Sequence, residues 1–91
     1  MSEEIKWRGI AKLIEESGEV NQLLGKLMAY PEGTCPTGTN LVEELEKELG
    51  DLIAATINFI ELNNQLSEST IEARADHKLE IFKQWEMAGI R

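Results

Sequence analysis

Apolar residues in the first third of the chain recur at steps of three and four: Ile10, Leu13, Ile14, Val20, Leu23, Leu24, Leu27 and Met28. An α-helix uses that period to line one face, which predicts a helix over residues 3 to about 30 with Ser2 as its N-cap. Gly9, Gly18 and Gly25 fall inside it. Each costs roughly 1 kcal/mol relative to Ala, so they mark a break or a close approach of another element. Residues 31–40 hold both prolines and two glycines and read as the one clear loop. Asn40, with Glu43 three residues on, resembles a capping box and predicts a second helix running to about Asn63. Ser69 and Glu72 form the regular S-x-x-E box, so a third helix is expected from near Ser69 to near Gly89. No run alternates β-branched with polar residues, and no strand is expected. The pattern is that of an all-α chain of three helices, one domain over residues 1–91.

Size changes this picture. A single chain of 91 residues buries only a modest share of its surface. Disulfides cannot compensate, because Cys35 is the only cysteine. A lone thiol also suggests a reducing, cytoplasmic compartment. The remaining devices are a metal and a core shared with a second copy; a homo-oligomer is expected, a four-helix bundle built across a homodimer. No stretch is apolar enough for a membrane span, and the acidic start, Met1 to Glu4, does not resemble a secretory signal. Acids outnumber bases 17 to 9, a net charge of −8. That balance argues against binding a nucleic-acid polymer. An acidic protein accepts an anionic ligand only if its acids first hold a cation.

The angular positions of the acids say more than their number. At about 100° per residue, the apolar arc of the first helix spans roughly 140° to 280°. Glu16 falls inside it near 160°, and Glu19 at its edge near 100°. Glu15 lies outside near 60°. The second helix repeats this. Its arc runs from roughly 80° to 300°, with Glu48 inside near 120° and Asp51 at the edge near 60°. Glu43, Glu46 and Glu61 point away and read as solvated acids. Each pair, Glu16 with Glu19 and Glu48 with Asp51, is three residues apart and faces one point. A buried ionised carboxylate needs a partner or a metal. Oxygen donors without His or Cys suit a hard ion, Mg²⁺ or Mn²⁺. The plainer alternative is that the four acids sit on helix flanks and meet only water or lysines such as Lys12, Lys26 and Lys47. Other metal and phosphate chemistries lack their signatures. Position 74 is Arg, so the Glu-x-x-His of a di-iron bundle is missing. There is no EF-hand loop, no P-loop and no second ligand for zinc beside Cys35 and His77.

The strings Glu15-Glu16-Ser17-Gly18-Glu19-Val20 and Glu48-Leu49-Gly50-Asp51-Leu52 together resemble the E-E-x-x-E … E-x-x-D signature of the MazG-like nucleotide pyrophosphohydrolases. These belong to the all-α NTP pyrophosphatase superfamily. The resemblance covers roughly residues 10 to 62, and the helix carrying Lys78, Leu79 and Trp85 looks like the closing helix of small members. It implies a Mg²⁺-dependent enzyme that hydrolyses a nucleoside triphosphate to the monophosphate and pyrophosphate. It also implies a homodimer or homotetramer. Glu16, Glu19, Glu48 and Asp51 match the metal-binding carboxylates. Glu15 matches the leading Glu, which positions a second metal or the attacking water. Two departures leave the base preference open. No Trp follows Glu19 in the first helix, and the loop is short beside the insertions of dimeric dUTPases. The competing class is a non-catalytic acidic helical protein that binds another protein and keeps a structural metal site.

Cations are expected to meet the phosphates. On the third helix Arg74 and Lys78 lie near 200° and 240°, within an apolar arc of roughly 180° to 340°. Either they contact substrate or the acidic cluster, or their stems pack on the core while their heads reach water. Asn58, two turns beyond Asp51, is placed to contact base or ribose, or is simply solvated. Trp7 and Trp85 either stack on a base or pack between helices. Met28 and Met87 read as core filler.

Overall fold

The structure is a computed structural model in which residues 6–89 are described. Three helices account for most of them: α1 (Ile10–Ala29), α2 (Leu41–Leu62) and α3 (Glu68–Met87). Among the described residues there is no strand, only an isolated bridge between Thr34 and Asn40. No described helix is long and apolar enough to cross a membrane.

α1 begins later than the periodicity suggests. Residues 6–9 are not helical, and the expected cap Ser2 and residues 3–5 lie outside the described residues. Gly9 marks the break: its φ of 81° is left-handed, which side chains resist. A Cβ there would also press to 3.3 Å from the Asn58 side-chain nitrogen. Before it, Trp7 stacks on Phe59 of α2 at 5.9 Å. Asn63, only 1% exposed, grips the same lead-in segment. Its Oδ1 accepts from Arg8 N at 3.1 Å, and its Nδ2 donates to Arg8 O at 2.9 Å and Phe59 O at 2.6 Å. Gly18 and Gly25, by contrast, neither break α1 nor mark close packing, since a Cβ at either meets open space.

α1 ends at Ala29, where Tyr30 precedes Pro31 and cannot comfortably stay helical. The following loop is tied by Gly33 N to Tyr30 O at 2.9 Å and Leu41 N to Gly33 O at 2.8 Å. Cys35 lies half-buried in it, its Sγ 3.0 Å from Thr37 Oγ1. Asn40 caps α2 as expected, its Oδ1 accepting from Glu43 N at 3.1 Å. α3 is capped by Ser67 rather than Ser69, because the Ser67 hydroxyl reaches Thr70 N at 3.2 Å. Gly89, with φ 75°, follows its last turn.

α1 and α2 form an antiparallel pair: Gly9 lies against Phe59 and Leu62, while Glu16 meets Glu48 midway. α3 does not pack along either. Its junction with α2 is lined by Ile57, Ile60 and Ile71. The described core is small, with Val20, Leu23, Leu41 and Ala55 as its buried apolar side chains. The radius of gyration is 16.9 Å, against about 12 Å for a compact chain of this length. Met28 and Met87 are not core filler; both are almost fully exposed.

Candidate metal centre

Three carboxylates converge where α1 crosses α2. One oxygen each from Glu16, Glu19 and Glu48 lies within 4.8 Å of the others. The i,i+3 step puts Glu16 and Glu19 on one side of α1, and antiparallel packing brings Glu48 of α2 opposite them. Glu16 is only 8% exposed, and the Glu48 side chain 14%. Each has one oxygen, Oε2, that is buried without any hydrogen-bond partner. Native structures rarely leave a buried polar atom unsatisfied, and a bound ion is one recognised explanation. An all-oxygen donor set of three clustered carboxylates fits a hard divalent cation.

The electrostatics describe crowded negative charge. Burial raises the Glu16 carboxyl above its usual range, and the charges of Asp51 and Glu48 push it the same way. Glu19 is pushed up to about 7, chiefly by its hydrogen bond with Glu48, then by burial and by the charge of Glu48. Glu48 is lowered because Glu19 and Lys47 both donate to it. The Lys47 ammonium offsets part of this charge from the Glu48 and Asp51 side.

Asp51 stands at the rim, its side chain 45% exposed. It faces a cavity of about 310 Å³ lined by Lys12, Glu16, Asp51, Ala54, Ala55 and Asn58. Asn58 and Asp51 therefore do share a face, beside the carboxylates. Lys47 spans Glu48 Oε1 at 3.2 Å and Asp51 Oδ2 at 3.6 Å. Its i,i+4 relation to Asp51 makes this pairing legible in sequence. Glu15 is outside the cluster, exposed and paired with Lys12 at 3.2 Å. Glu43 and Glu61 are exposed, as their wheel positions of roughly 340° require, and Glu46 is exposed although its angle of roughly 280° falls within the apolar arc. The cations on α3 are not brought to the carboxylates. Lys78 Nζ lies 5.2 Å from the Phe82 ring centroid and 5.6 Å from that of Trp85. Arg74 is exposed, and neither pairs with an acid among the described residues. The acids thus divide: Lys12 and Lys47 satisfy Glu15 and part of Glu48 and Asp51, while the inner oxygens of Glu16 and Glu48 meet no lysine.

Comparison with protein-family models, curated proteins and solved structures finds no match to this chain.

Proposed function

We infer that the chain is a Mg²⁺-dependent nucleoside triphosphate pyrophosphohydrolase, with Mn²⁺ as a possible substitute. Water adds across the α–β anhydride, yielding the nucleoside monophosphate and pyrophosphate. The observation that carries this reading is the pair of buried, unpartnered oxygens on Glu16 and Glu48 beside Glu19. The double carboxylate motif, with its resemblance to MazG-like enzymes, supplies the reaction class.

Glu16, Glu19 and Glu48 would hold the cation, with Asp51 at the open side. When bound, a divalent ion offsets phosphate charge and lowers the pKa of coordinated water. Glu16 is buried on α1 together with Val20 and Leu23, and it lines one cavity with Ala55 of α2. Asn58 and Lys12 line the adjoining cavity, an amide and an ammonium suited to ribose or base and to phosphate. Arg74 and Lys78 would reach substrate only from a differently placed α3 or from another copy. Self-association as a homodimer or homotetramer belongs to the same reading.

A non-catalytic protein-binding role is the second reading. It is favoured by α3, whose Phe82 and Trp85 are uncovered and whose cations stand apart from the carboxylates. Pyrophosphate release from a panel of canonical and damaged nucleotides, with and without Mg²⁺, separates the two. Mg²⁺-dependent release from at least one triphosphate supports the enzyme, and no release from any contradicts it.

A further inference from the structure

We propose that the Lys47 ammonium fills the second cation position of the carboxylate cluster, so that the chain binds one divalent ion where its acids alone would take two. This count rests on the metal reading above and goes beyond it by giving a lysine of this chain the place of an ion.

Glu48 divides the two positions, because its oxygens have different neighbours. Oε2 is buried without a hydrogen-bond partner, as is Oε2 of Glu16. Oε1 lies 3.2 Å from Lys47 Nζ. Asp51 Oδ2 lies 3.6 Å from the same nitrogen. Glu48 Oε1 and Asp51 Oδ2 therefore converge on one point, and that point already carries a positive charge. In two-metal sites the ions stand about 3.5–4 Å apart, a spacing that one carboxylate spans with its two oxygens. Here the inner oxygen is left for an ion, and the outer one meets a tethered ammonium.

The sequence of α2 puts the ammonium there. Lys47 precedes Glu48 directly and Asp51 by four residues, so it reaches both from its own helix. Among the described residues it is the one cation paired with the site's acids. Lys12 pairs instead with Glu15, which stands outside the cluster. Glu15 is the acid that the resemblance ties to a second ion. Both acids an outer ion would draw on, Asp51 and Glu15, are thus engaged by lysines, while the inner oxygens of Glu16 and Glu48 are not.

Charge favours one ion and one ammonium over two ions. At equal spacing, two divalent ions repel each other twice as strongly as a divalent ion repels an ammonium. The ammonium also needs no recruitment from solution, being fixed to the same helix as its two acids. Lys47 is itself 71% exposed, so its ion pairs add little to stability and its replacement should leave the fold intact.

Titration of the full chain with Mn²⁺ at pH 8 tests this, by calorimetry for the number of ions and by frozen-solution electron paramagnetic resonance for their spacing. The wild type should bind one Mn²⁺ per chain, with the spectrum of an isolated ion. Lys47→Met and Lys47→Gln should each bind two, magnetically coupled because they stand about 3.5–4 Å apart. Lys47→Arg keeps the charge and should bind one. A coupled pair in the wild type or in Lys47→Arg overturns the proposal. So does a single ion, or two uncoupled ions, in both Lys47→Met and Lys47→Gln. Those outcomes leave the metal reading standing, whereas the absence of saturable binding by all four proteins overturns that reading as well.

Discussion

Asn63→Ala should be the most damaging conservative truncation outside the carboxylate cluster. The side chain is 1% exposed and makes three hydrogen bonds, two to Arg8 and one to Phe59. At a net value near 1 kcal/mol each, their loss costs about 3 kcal/mol, since the backbone groups left behind are only partly reached by water. That is a large share of the roughly 5–13 kcal/mol expected for a domain of this length. It corresponds to a fall in Tm of roughly 12–24 °C. The damage should localise. Arg8 and Trp7 enter α1 through this clamp, so hydrogen exchange at the start of α1 should rise before exchange at Leu23 does. Denaturant unfolding at one fixed protein concentration measures the loss, with the exposed neighbour Asn64→Ala as control, expected within roughly 0.5 kcal/mol. A loss below about 1 kcal/mol for Asn63→Ala, or equal to that of the control, would refute the clamp.

Glu16→Gln, Glu48→Gln and Asp51→Asn should each lower turnover at least about a hundredfold, as expected when a metal that generates the nucleophile is lost. Glu43→Gln, on the exposed side of α2, should change it less than about threefold. Gly9→Ala should cost about 1–2 kcal/mol, because its φ of 81° is strained for any side chain; an unchanged Tm would contradict the break assigned there. Without metal, stability should fall as pH rises from about 4.5 through about 7. Glu16 and Glu19 bind protons more tightly folded than unfolded, so their contribution is complete below the unfolded value and is lost above the folded one. Glu48 is shifted the other way, and its window lies below its ordinary value of 4.5. Millimolar Mg²⁺ should therefore raise Tm more at pH 8 than at pH 5, and thermal scans at the two pH values show whether it does.

The helix period placed α2 and the inner face of α1 well, because those stripes pack on each other within one chain. Glu16 and Glu48 were legible for the same reason: a charged residue at a core angle is a strong local signal. Other features depend on contacts far apart in sequence. Nothing near Asn63 announces that its amide will hold Arg8, and without that contact the helical pattern extends to residue 3. Lys78 has core-facing geometry on its own wheel, but a wheel does not say which helix it faces. Its ammonium sits over its own helix's aromatics, Phe82 and Trp85. Ser67 and Ser69 both offer a cap, and only the turn from Asn63 to Leu66 selects the first.

We propose that Glu16, Glu19 and Glu48 hold a divalent cation. Calorimetric titration of the chelator-stripped protein with Mn²⁺ at pH 8 tests it most directly, with Glu16→Gln measured alongside. The wild type should bind saturably and the variant at least about tenfold more weakly, since a buried donor to the ion is gone. Equal, unsaturable binding by both proteins would contradict it.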